Sequence, residues 1–79
     1  MNEKLYNKII NHAKETLDKS ILDIITKFGY KEVDGYYIIN VYVKEETKAK
    51  QLGKILINIE SYAKECGVGV LVDFLKDKK

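Results

Sequence analysis

Arginine, proline and tryptophan are absent from this 79-residue chain, and cysteine, histidine and methionine occur once each. Cys66 has no second thiol to pair with, so no internal disulfide can form. His12 is the only imidazole, so a Cys/His zinc cluster cannot be assembled within one chain. Lack of arginine removes the planar fork that reads guanine edges and clamps phosphate with two parallel bonds. That argues against specific recognition of either, and leaves room for weak phosphate contacts through lysine. No run approaches the ~18–20 consecutive apolar residues of a membrane span. The opening MNEKLYNKII is mixed where a signal peptide runs basic and then apolar. With a single free thiol as well, the expected compartment is the cytoplasm.

What is present is lysine, isoleucine, tyrosine and acidic residues. A third of the chain is charged, yet the formal net charge is only +2. Residues 1–35 carry six Lys against six acids, and residues 36–79 carry eight Lys against six. Neither half has the lopsided charge of a dedicated nucleic-acid binder. The bias toward Lys, Ile, Asn and Tyr resembles translation of an AT-rich genome, as in low-GC bacteria, their phages and some archaeal viruses. Residues 1–79 are expected to form one compact domain, near the size at which a single core is only marginally sufficient. Good local propensity or association with another chain must supply the remainder, and a homodimer is expected.

Leu5, Ile9, Ala13, Leu17, Ile21 and Ile25 step by four, and Tyr6, Ile10, Ile24 and Phe28 widen the stripe. The spacing predicts a helix over residues 2–28, capped by Asn2 and closed by Gly29. A continuous helix of that length spans ~40 Å, against ~26 Å for an eight-residue strand, so it must overhang the sheet or break. Ser20-Ile21-Leu22-Asp23 has the spacing of a capping box and marks a break near residues 18–20. Asp34-Gly35, between two strand-compatible runs, predicts a type I′ hairpin. Its strands are read as 30–33 and 36–43, with Val33 opposite Tyr36 and Tyr30 opposite Ile39. Thr47 is expected to cap a second helix whose apolar face is Leu52, Ile55, Leu56, Ile59, Tyr62, Ala63 and Cys66, with Gly67 closing it. A last strand over 68–75 follows, and Lys76 to Lys79 are expected to fray.

The expected fold is α+β, ordered helix–strand–strand–helix–strand: a three-stranded mixed sheet with two helices packed on one face. Alternation then turns Tyr37, Ile39, Val41, Val43, Val68, Val70, Val72 and Phe74 toward the helices. The opposite face receives Lys31, Val33, Tyr36, Ile38, Asn40, Tyr42, Leu71, Asp73 and Leu75, which is more apolar than a face that meets only water. Four explanations compete. A broken first helix or a shifted register covers these residues; a second copy does; a different protein does; or Tyr36 and Tyr42, flanked by Lys31 and Lys44, stack nucleic-acid bases.

Chemistry is thin. Nucleophilic catalysis needs a nucleophile, a base and usually an orienting third group. Cys66 sits on the apolar face at a helix C-terminus, where a buried, inert thiol is expected. His12 is expected to be partly exposed and structural, and Glu45-Glu46 reads as a complement to a helix dipole. No catalytic, metal or cofactor site is therefore expected.

Lys48-Ala49-Lys50-Gln51-Leu52-Gly53-Lys54, after a strand and opening a helix, resembles the pyrophosphate-binding turn of the GNAT acetyltransferases. There, glycine-rich backbone amides hold coenzyme A, and a strand follows the helix. The resemblance covers roughly residues 38–75 and implies, at most, an acyl-coenzyme-A-binding module. It departs in Gln51, which stands at the first motif glycine, in Lys48, where Arg or Gln is usual, and in a chain about half the family's length. Gly53 is equally read as a small residue where helix and sheet pack closely. The expected function is that of a small non-enzymatic protein-interaction domain, a phage or mobile-element modulator or inhibitor of a host protein. The alternatives are a nucleic-acid-binding accessory protein and the reduced acyl-coenzyme-A module.

Overall fold

Asn2 opens the first helix: its side-chain oxygen accepts from the Leu5 N–H at 2.8 Å, satisfying one of the free donors of the first turn. The computed structural model describes residues 2–77. Helix α1 spans Glu3–Thr16 and buries Ile9, Ile10 and Ala13. It stops well before residue 28. Leu17 is extended (ψ 146°) with its N–H still donating to the Ala13 carbonyl, and a one-turn helix, α2, follows over Lys19–Leu22. Strand β1 then runs over Ile25–Val33.

The long first helix is thus corrected to helix, turn of helix, and strand. The break falls near the expected place, but Asp18 rather than Ser20 stands at the start of α2. Gly29 closes nothing: it lies inside β1, and the glycines with positive φ are Gly35 and Gly67. The physical reason is that Ile24, Ile25, Thr26, Phe28 and Tyr30 are β-branched or aromatic and suit a pleated surface. As a strand they also pair along nearly the whole of β2 (Tyr36–Lys44), ending at Ile25 opposite Val43.

The hairpin forms as expected. Asp34 (φ 51°) and Gly35 (φ 82°) make the turn, and Val33 pairs with Tyr36, Lys31 with Ile38 and Tyr30 with Ile39. An irregularity between Ile25 and Lys27 leaves Thr26 as an extra residue on β1. Helix α3 spans Ala49–Glu65. Its closing carries two bonds, Val68 N–H to Ala63 O and Gly67 N–H to Lys64 O, both at 3.0 Å, with Gly67 at φ 82°. That is the left-handed closure in which the last carbonyls find donors just beyond the helix. Val68 belongs to this closure, so β3 starts later than expected, at Val70, and runs to Asp77. Lys76 and Asp77 do not fray: they pair with Val43 and Lys44. Lys78 and Lys79 lie outside the described residues.

The sheet order is β1-β2-β3, with β1 antiparallel and β3 parallel to the central β2. The fold is α+β, with a three-stranded mixed sheet in the order helix–helix–strand–strand–helix–strand. Ile9, Ile10, Ala13 and Ile21 meet Ile55, Ile59 and Ala63 over Ile39, Val41, Val43 and Val70 in one buried cluster. The strand residues of that cluster alternate onto a single face of the sheet. Thr16 and Asn58 add a polar tie between the two long helices. The Asn58 amide donates to Thr16 Oγ1 at 2.8 Å, and that hydroxyl donates to the His12 carbonyl at 2.7 Å.

Candidate functional site: the bare face of the sheet

Pairing partners in neighbouring strands lie on the same face, so register alone sorts the side chains. From one end to the other, the face opposite the core carries Val33 and Tyr36, then Lys31, Ile38 and Leu71. Next comes the row of Gly29, Asn40 and Asp73, then Lys27, Tyr42 and Leu75, and finally Lys44 with Asp77. All nine residues assigned to this face from the sequence (Lys31, Val33, Tyr36, Ile38, Asn40, Tyr42, Leu71, Asp73 and Leu75) are on it. The structure adds Lys27, Gly29 and Asp77. None of the apolar members belongs to the buried cluster or packs against it. Tyr36 is 63% exposed, Leu71 51% and Val33 43%, while Ile38, Tyr42 and Leu75 are half-buried by their neighbours in the sheet. The register is the expected one, so these residues are not core.

Electrostatics divide this face by strand. On β1 it carries Lys27 and Lys31; on β3 it carries Asp73 and Asp77. The Lys27 ammonium lies 4.3 Å from the centre of the Tyr42 ring, inward over the face rather than off the edge of the sheet. In the middle row the Asn40 Oδ1 is shielded and has no hydrogen-bond partner among the described residues.

Sequence reasoning left a second constellation unread. His12 of α1 and Tyr62 of α3 stack, and Cys66, half-buried, follows one turn after Tyr62. Burial and, after it, the neighbouring Cys66 thiol raise the Tyr62 phenol above its ordinary value. His12 Nδ1 is shielded without a hydrogen-bond partner among the described residues, so no base-to-orienter bond is made there. Among the described residues no group of three or more His, Cys, Asp or Glu side chains is placed to hold a metal ion. A concavity of about 630 Å³ lies between α1 and β1 and is lined by Tyr6, Ile10, Leu22 and Phe28 with Asn7 and Lys14. It presents no carboxylate or imidazole for acid–base work.

The start of α3 differs from a glycine-rich cradle in two ways. The Lys48 N–H, which precedes the helix, already donates to Gln51 Oε1 at 2.9 Å. Gly53 lies within the helix with nothing within 4 Å of where a Cβ would stand, which corrects the expectation of close packing there. Thr47 is not the cap. Lys48 holds that position, while the carbonyl of the buried Thr47 accepts from the Lys76 ammonium at 3.1 Å, and its Oγ1 has no partner among the described residues. Among the described residues no helix is long and apolar enough to cross a membrane. Comparisons with protein-family models, with curated proteins and with solved structures give no match.

Proposed function

We propose that this chain is a small non-enzymatic protein-interaction domain whose working surface is the bare face of the sheet. One observation carries the reading. Val33, Tyr36, Ile38, Tyr42, Leu71 and Leu75 share a face, and among the described residues none of them belongs to the buried cluster or packs against it. A contiguous apolar surface of several hundred Å² is costly to leave in water and usually marks an interaction site. Tyrosine at its rim suits a protein partner, because its ring buries area while its hydroxyl stays satisfied by water. The face is also mixed in sign, with Asp73 and Asp77 along one strand, where a phosphate backbone asks for uniform positive charge. Small size and a Lys-, Ile- and Asn-rich composition fit a phage or mobile-element product that modulates or inhibits a host protein in the cytoplasm, its thiol reduced.

The test is capture from an extract of the native host. The tagged chain retains a protein partner, and Tyr36→Ala and Tyr42→Glu lose it while circular dichroism and melting temperature show an intact fold. Retention of the same partner by both variants overturns the reading. A gel shift at low salt would move the assignment to nucleic acid, since lysine-driven binding is strongest there. A rise in melting temperature with coenzyme A would move it to the acyl-coenzyme-A module.

A further inference from the structure

We propose that the bare face is self-complementary and that its occupant is a second copy of this chain, stacked face to face about a two-fold axis parallel to the strands. The proposal rests on the reading of this face as the working surface and names what covers it.

Charge selects the orientation. A two-fold axis lying across the strands would set β1 over β1 and β3 over β3, bringing lysines onto lysines and aspartates onto aspartates. An axis along the strands sets β1 over β3 of the second copy, so that Lys27 and Lys31 meet Asp73 and Asp77 on both sides of the interface. The middle row, Gly29–Asn40–Asp73, shows the fit in detail. Asp73 comes to lie over Gly29 of the second copy. Lys31 and Lys27 stand on either side along that strand, each about 7 Å away, a distance a lysine side chain spans. Gly29 has nothing within 4 Å of where a Cβ would stand, so the gap between the two lysines is open to a carboxylate.

On the axis itself Asn40 faces Asn40 of the second copy. A primary amide carries both a donor and an acceptor and so complements itself; the Asn40 Oδ1, shielded and without a hydrogen-bond partner among the described residues, turns outward by side-chain rotation to meet the second amide. Ile38, Tyr42 and, at the end of β2, Lys44 also meet their own counterparts, each Lys44 with Asp77 of its own chain beside it, while Leu71 and Leu75 lie over Lys31 and Lys27 of the second copy. Lys27 exchanges the Tyr42 ring, 4.3 Å from its ammonium in the single chain, for the partner's aspartates. Three strands about 4.8 Å apart and about 27 Å long cover roughly 400 Å² per copy, about half the ~800 Å² per partner of a standard interface. Pairing is therefore reversible and concentration-dependent.

Sedimentation velocity on the full chain, at concentrations up to about 1 mM (the weak end of specific affinity), tests this with two charge reversals. Lys31→Glu and Asp73→Lys are each expected to weaken self-association by about tenfold or more, a loss of about 1.4 kcal/mol. Each sets like charges together twice per dimer. Mixed in equal amounts, the two variants restore both ion pairs, and the mixture is expected to associate as the unaltered chain does. An unaltered chain that stays monomeric throughout overturns the proposal, and so does a mixture that stays monomeric, or variants that associate undiminished. Partner capture that still depends on Tyr36 and Tyr42 in a monomeric chain would leave the interaction domain standing and remove only the second copy.

Discussion

His12 of α1 lies flat on Tyr62 of α3, with ring centroids 3.8 Å apart and planes 4° from parallel. The pair sits beside the Asn58–Thr16 bond and fixes how the two long helices meet. An aromatic pair contributes about 0.5–1.5 kcal/mol beyond the area it buries. Tyr62→Leu, which keeps most of the apolar bulk, is expected to lower stability by about 1 kcal/mol in urea unfolding. His12→Phe keeps a flat ring and drops the unpartnered Nδ1, so its midpoint should stay level or rise. A loss in His12→Phe equal to that in Tyr62→Leu would show that a flat ring at position 12 is not enough to hold the pair.

Two tyrosines are expected to make the fold sensitive to alkali. Burial and then Cys66 raise Tyr62, and burial and then Tyr30, whose ring is centred 4.4 Å from that of Tyr6, raises Tyr6. A phenol whose pKa is higher folded than unfolded holds its proton more tightly in the native state. Its contribution is fully present below the unfolded value of about 10 and is lost as pH climbs through the higher folded value. Melting temperature should therefore fall more steeply above about pH 10 than that of Tyr62→Phe or Tyr6→Phe. A Tyr62→Phe, Tyr6→Phe double variant that falls just as steeply would place the alkaline sensitivity elsewhere.

Two glycines should respond oppositely to alanine. Gly67 sits at φ 82° in the closure of α3, a conformation that a Cβ strains, so Gly67→Ala is expected to cost about 1 kcal/mol or more. Gly29 lies in a strand with open space at the Cβ position, so Gly29→Ala should be neutral or stabilise by up to about 1 kcal/mol. Chemical denaturation of both variants compares the two directly, and the reverse order would contradict the backbone assignment.

Core and surface isoleucines on α3 give a third contrast. Ile59 is fully buried and Ile57 is 67% exposed. Ile59→Ala is expected to cost about 2–5 kcal/mol, much of the roughly 4–12 kcal/mol available to a chain of this length. Ile57→Ala should stay within about 0.5 kcal/mol. Urea titrations measure both, and a large loss at Ile57 would point to a covered outer face on α3.

Much of this architecture was legible because its signals are local. Asp34-Gly35 can make one kind of turn, and that turn sets the register of β1 and β2, which in turn decides what each face carries. The bare face was therefore named residue by residue from alternation, apart from Lys27, Gly29 and Asp77. Lys27 and Gly29 fell to one error, the reach of the first helix, and Asp77 to another, the expectation that the chain frays after residue 75. Ile21 to Phe28 is apolar over a wide arc and contains neither Gly nor Pro, so helical and strand periods both fit it. The readable signal there was composition: Ile24, Ile25, Thr26, Phe28 and Tyr30 are strand formers, and the residues between Ile25 and Val33 match β2 in length. His12 and Tyr62, fifty positions apart, had no such signal, because nothing in spacing tells which faces of two helices will meet. Thr47 was misread for a different reason. A good capping residue was preferred by type, but its carbonyl was drawn to Lys76, a residue expected to lie in a frayed tail.

β1 is bonded on one side only, and its other edge is as long as the central strand. A strand edge of nine residues is a template on which further strands can grow. Here that growth is opposed by the extra residue at Thr26, which breaks the regular repeat, and by Lys31 and Glu32, charged residues of the edge strand. Lys31, which orients the second copy in the proposed pairing, thus also works against many copies joining edge on as a fibril.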